Sequence, residues 1–147
     1  MNEWQRSFLK KLESAKQQWL HRFEKFTAES IDPVFSSFEE FAIECGFQVT
    51  HPRSESSHRI FKFALTENGY ALITFHMVGL EEIEVSSEYF VPGMANIAPH
   101  NQSANLCDAG KAWTEAQFQS SLDRFIKYFA EAGGAVSQPA PALAGAK

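Results

Sequence analysis

The chain is poor in cysteine, with Cys45 and Cys107 the only two among 147 residues. Two thiols exclude a disulfide scaffold and any all-cysteine zinc site. Apolar runs are also short, and none approaches the ~18 residues of a membrane-spanning helix. The opening residues Met1-Asn2-Glu3-Trp4 lack the charged-then-apolar layout of a secretory signal. The expected compartment is therefore the cytoplasm, with no membrane contact. Positive charge is scarce too. Thirteen Lys/Arg against 18 Asp/Glu leave a net charge of −5, which argues against a nucleic-acid surface. Tyrosine and tryptophan occur three times each, whereas phenylalanine occurs 14 times. With 44% hydrophobic and 21% charged residues, this is the composition of one globular domain whose core is built from large rings.

Charge is distributed unevenly. Residues 1–29 balance to +2, residues 30–113 to −7 and residues 114–132 to −1. A basic leading segment thus precedes an acidic body. Apolar or small residues in the leader fall at Trp4, Phe8, Leu12, Ala15, Trp19, Phe23 and Phe26. Leu9, Leu20 and Ile31 form a second row, each eleven residues after the last. Eleven residues over three turns is close to the period of a straight helix, so the stripe stays on one face. The segment 1–29 is expected to be a long amphipathic helix, packed on its own domain or free to dock a partner or dimerise. Trp4, Phe8 and Trp19 are its candidate partner-binding residues.

Asp32-Pro33 is expected to end that helix and to cap a second one. The second helix carries Val34, Phe35, Phe38, Phe41, Ala42 and Cys45, and stops at Gly46. Its spacing puts Cys45 on the phenylalanine face, as a buried structural thiol. Alternation follows: Phe61, Phe63 and Leu65, then Ala71, Ile73, Phe75 and Met77, then Ile83, Val85, Tyr89 and Val91. Asn68-Gly69 is a hairpin signal between the first two runs. These segments predict an antiparallel meander of three or four strands. The acidic residues Glu81, Glu82, Glu84 and Glu88 fit a solvated sheet face, and His76 an ordinary sheet position.

From Pro92 to Trp113 the pattern lapses, which predicts a long loop. Loops of that length inside a domain are often functional. Thr114-Glu115-Ala116-Gln117 then reads as a capping box. It opens a helix bearing Phe118, Leu122, Phe125, Ile126 and Phe129, which Gly133-Gly134 should end. Residues 133–147 read as a disordered Ala/Pro/Gly tail. The expected fold class is α+β: amino-terminal helices, the meander, the long active-site loop and a carboxy-terminal helix.

The loop gathers His100, Asn101, Cys107 and Asp108. A thiolate is a strong nucleophile, and an asparagine amide can donate to a developing oxyanion. The chemistry that suits them is acyl transfer through a thioester. Metal binding by His100, Cys107 and Asp108 is disfavoured because their spacing matches no zinc pattern. A Cys-His protease or transferase would need a base from His51, His58, His76 or His100, and no local signature selects one.

The order of helix, meander, irregular stretch with His and Asn, cysteine, tryptophan and helix resembles the ubiquitin-conjugating enzymes. The residues that carry it are Pro99-His100-Asn101, Leu106-Cys107 and Trp113-Thr114-Glu115-Ala116. The family's motif runs His-Pro-Asn and has a leucine after the cysteine. Here the order is Pro-His-Asn, the gap to the cysteine is shorter, and Asp108 follows it. These departures suit a divergent, bacterial-type relative spanning residues 30–132. The resemblance implies that Cys107 accepts the carboxyl terminus of a ubiquitin-like protein from an adenylating enzyme and passes it to a protein substrate. It further implies that Asn101 steadies the loop or the oxyanion, that His100 is mainly structural, and that Trp113 packs beneath the site. Asp108, by proximity, would help deprotonate the incoming amine. No cofactor is implied. The competing expectation is a non-catalytic protein-binding module of similar fold, working through the amino-terminal aromatic helix.

Overall fold

The computed structural model describes the backbone of residues 1–51 and 57–136, and side chains as far as residue 132. The expected tail therefore lies mostly outside the described residues, as do residues 52–56. Along the chain come α1 (Glu3–Phe26), a π-helical turn (Thr27–Ile31) and α2 (Asp32–Glu44). Five strands follow: β1 (Gln48–Thr50), β2 (His58–Ala64), β3 (Tyr70–Met77), β4 (Glu82–Phe90) and β5 (His100–Asn105). The helix α3 (Lys111–Val136) closes the order. The fold is α+β. No described helix is long and apolar enough to cross a membrane.

A capping box starts α1. The Asn2 side chain accepts from the Gln5 N–H at 2.8 Å, and the Gln5 side chain accepts from the Asn2 N–H at 3.0 Å. The expected break at Asp32-Pro33 does not occur. Asp32 has helical φ and ψ of −61° and −43°, and its N–H donates to the Thr27 carbonyl five residues back. Proline lacks an N–H and its ring crowds the preceding turn. One widened turn accommodates both demands, so the helical path runs on from α1 into α2. Asp32 does not cap. Its carboxylate instead takes both contacts from Arg59 Nη2, at 2.8 and 2.9 Å, and ties α2 to β2.

The end of α2 follows the glycine prediction. Gly46 sits at φ +101°, the Gly46 N–H donates to Ile43 and the Phe47 N–H to Ala42. This double closure satisfies the last carbonyls. The same closure corrects the expectation for Cys45. That residue is the cap itself, and it is exposed. Only Phe35 and Ala42 of α2 are buried, and Phe41 is 60% exposed.

The sheet has order β1-β2-β3-β4-β5, antiparallel throughout. It has one strand more than the largest number expected. β5 lies inside the stretch read as a loop, pairing His100 with Ser87 and Asn105 with Glu82. Its sequence, HNQSAN, is polar and carries no β-branched residue. It is held by an edge ladder rather than by side-chain burial, so hydrophobic alternation cannot reveal it.

One sheet face is the core. Phe61 and Phe63, Ile73 and Phe75, and Ile83 and Val85 alternate inward along β2, β3 and β4. Phe118 of α3 sits among Phe35, Phe61, Phe63 and Phe75, with ring centroids 5.5–6.1 Å away. Offset and edge-on rings at such distances add to the burial of large apolar surfaces. Ala71, Tyr89, Val91, Phe125 and Ala132 form a second cluster towards the other end of α3. Ser87, the polar break in the β4 pattern, faces inward and hydrogen-bonds Ser121 of α3.

Two boundary expectations for α3 also change. The helix begins at Lys111, and Thr114 is fully buried with its hydroxyl donating to the Gly110 carbonyl at 2.9 Å. The Thr114–Gln117 pair is thus internal and not a cap. The helix also continues through Gly133-Gly134 to Val136.

Candidate functional site

Three pieces meet at one end of the sheet. The last turns of α1 supply Arg22, Lys25 and Phe26, followed by Glu29; the β3–β4 turn supplies Glu81; the link from β5 to α3 supplies Asn105, Leu106 and Cys107. They enclose a cleft of about 330 Å³. Arg22 Nη1 donates to the Leu80 carbonyl at 3.1 Å, which pins α1 to the β3–β4 turn. The Leu106 N–H donates to the Glu81 carbonyl at 2.7 Å, which pins the link to the same turn.

Cys107 is exposed in this cleft. Asn105 Oδ1 accepts from the Cys107 N–H at 3.0 Å and from its thiol at 2.9 Å. An asparagine bonding the backbone two residues on is a common turn device. The Asn105 carbonyl also accepts from the N–H groups of Asp108 and Ala109, each at 2.9 Å. One residue thus shapes the whole link. Periodicity does not mark Asn105, although an asparagine two positions before the cysteine is the local signal for this turn.

The other proposed loop residues are placed elsewhere. His100 and Asn101 begin β5, and adjacent strand residues point to opposite faces. Asn101 is opposite Ser86 and His100 opposite Ser87. At ~3.3 Å per residue, four or five strand residues separate them from Asn105 by roughly 13–17 Å. Neither lines the cleft. Asp108 is exposed beside Cys107 in sequence. Trp113 is half-buried against the core, edge-on to Phe75 at 6.4 Å.

The leading helix divides in two. Phe23 and Phe26 are buried, and Trp19 is half-buried against the same cluster. Residues 3–18 are all exposed. On that overhang Trp4 is 69% exposed, Phe8 47%, Leu9 42% and Leu12 37%, and the Trp4 and Phe8 rings stack at 5.2 Å. Trp19 therefore belongs to the root of the helix, whereas Trp4 and Phe8 belong to its free face.

The open sheet face brings together as a row residues that the sequence placed only singly. His58 and His76 are paired across β2 and β3, with rings stacked at 5.4 Å, and His76 Nε2 meets Glu84 Oε1 of β4 at 3.0 Å. Among the described residues no group of three or more His, Cys, Asp or Glu is arranged to hold a metal ion. Compared with known protein families, characterised proteins and solved structures, the chain matches none of them.

Proposed function

We propose that the chain is a protein-binding module whose working surface is the free half of α1. The observation that carries this reading is the exposed row of Trp4, Phe8 and Leu12. Isolated helices of this length are marginal in water. This one is capped at Asn2 and anchored in the core by Phe23 and Phe26, so it presents its apolar row already formed. A preformed helix avoids part of the ordering cost of binding. Large aromatic anchors commonly dominate such interfaces. The expected outcome is that a protein retained by the immobilised full chain is lost with Phe8→Glu and kept with Cys107→Ala. Retention that is indifferent to Phe8→Glu removes the proposal.

A second reading has its own observation: Cys107 is exposed, and its link is held in place by Asn105 beside Arg22 and Lys25. In this reading Cys107 carries a ubiquitin-like protein as a thioester for transfer to a lysine or other amine. The anchored root of α1 then stands beside the thiol as a surface for the adenylating enzyme. Asn101 and His100 act here only if β5 shifts towards the cleft on partner binding. With an activating enzyme, its ubiquitin-like partner and ATP, the reading requires a reductant-sensitive adduct on a non-reducing gel. That adduct must disappear in Cys107→Ala and survive in Cys45→Ala.

A further inference from the structure

Among the described residues two faces are left without cover, and they differ in charge. α1 holds six Lys/Arg against three Glu, a balance of +3, whereas the rest of the chain holds seven against fifteen, a balance of −8. At ~100° per residue, Trp4, Phe8, Leu12 and Ala15 share one face of α1, with Lys11 and Lys16 on its two borders. On the sheet, the face turned away from α2 and α3 carries Glu82, Glu84 and Glu88 along β4, with Tyr70, Leu72 and Phe90 on the same side. Phe90 is 41% exposed and stacks on Tyr70 at 4.7 Å. Lys62 lies over the Tyr70 ring.

We infer that the free half of α1 docks on the open sheet face of a second copy of this chain, and that the exchange is reciprocal. This deepens the reading of α1 as a binding helix, and rests on it, by naming the partner. An apolar row bordered by lysines meets a partly apolar face on which Glu82 and Glu88 are exposed and Glu84 is already paired with His76. Side-by-side pairing of two α1 helices would instead set cationic borders against each other. Dimensions agree as well. Residues 3–18 span about 24 Å at 1.5 Å per residue, and β4 about 30 Å at ~3.4 Å per residue. The helix cannot satisfy its own sheet. Its root is pinned at the β3–β4 turn through Arg22 and Leu80, on the side where Phe23 and Phe26 enter the core. A straight helix leaving that point would have to break to reach the opposite face. Reciprocal exchange gives a closed two-fold dimer in which each copy contributes one helix and one face.

The test uses the full chain and two charge-reversal variants, Lys11→Glu/Lys16→Glu and Glu82→Lys/Glu88→Lys, all at exposed positions. Sedimentation is expected to show a wild-type dimer and at least tenfold weaker dimerisation of each variant alone. Mixing the two variants should restore the dimer, because both contacts of the mixed pair again join opposite charges. Zero-length carbodiimide cross-linking of mixed isotope-labelled and unlabelled chains should join Lys11 or Lys16 of one copy to Glu82, Glu84 or Glu88 of the other. A wild-type chain that stays monomeric into the millimolar range overturns the inference. So do cross-links confined to α1 against α1, or a mixture that fails to recover. A monomeric chain that still loses a captured protein with Phe8→Glu leaves the binding-module reading standing while the dimer falls. Capture indifferent to Phe8→Glu, in a chain that dimerises as described, removes only the capture of other proteins.

Discussion

Asn105 holds Cys107 twice, through the backbone N–H and through the thiol, with a single side-chain oxygen. Asn105→Ala removes both contacts. The expected result is faster alkylation of Cys107 by iodoacetamide, because the sulfur is no longer held against Oδ1, with Cys45 unchanged. The stability cost should be small, about 0.5–1 kcal/mol, since the turn is exposed and water can replace the lost acceptor. Peptide mapping of the two alkylated cysteines reads the first effect and thermal unfolding the second. An unchanged Cys107 rate would show that the contact does not restrain the thiol.

Gly69 lies in the β2–β3 turn under α3. A methyl group there would stand 2.8 Å from Phe129 Cε1 and 2.7 Å from Thr66 Oγ1. The glycine is required by this close approach, not by a left-handed backbone. Gly69→Ala is expected to cost about 1–3 kcal/mol from overpacking. Phe129→Leu should recover part of that loss, so a double-mutant cycle by urea denaturation should show coupling.

Ser87 and Ser121 are each 2% exposed and bond only across the β4–α3 interface in the described structure. Ser87→Ala strands the hydroxyl of Ser121, which should cost about 1–3 kcal/mol. Replacing both by alanine should cost less than the two single changes together, because no buried donor is left without an acceptor. Additive losses would contradict this account.

Phe118 is the ring on which the core converges. Phe118→Ala is expected to remove about 3–5 kcal/mol. That is a large share of the ~5–15 kcal/mol typical of a domain. Phe118→Leu should lose much less. Ile126→Ala on the same helix, 45% exposed, should be nearly silent. The ordering Phe118→Ala, Phe118→Leu, Ile126→Ala in chemical denaturation checks the assignment of the α3 faces.

Side chains that repeat with one period and are buried along their length made β2, β3, β4 and the middle of α3 legible. Gly46 was legible as a helix stop because its left-handed conformation is a local requirement. Periodicity alone misled where burial stops partway along an element. Cys45 keeps the spacing of Phe35 and Phe38, yet the helix closes at that residue and turns it to solvent. For α1 periodicity left open whether the stripe packs or stands free, and only the structure divides it, with Phe23 and Phe26 buried and Trp4 and Phe8 beyond the body.

The sequence by itself determined an α+β fold with a phenylalanine core, an acidic body and a basic aromatic leading helix, because composition and periodicity are local properties. Tertiary structure alone decided that the helix passes through Asp32-Pro33 on a widened turn. It alone decided that a polar segment completes the sheet as β5, separating His100 and Asn101 from Cys107. Edge pairing and helix overhang depend on where distant segments come to rest. No spacing of residues along the chain encodes that directly.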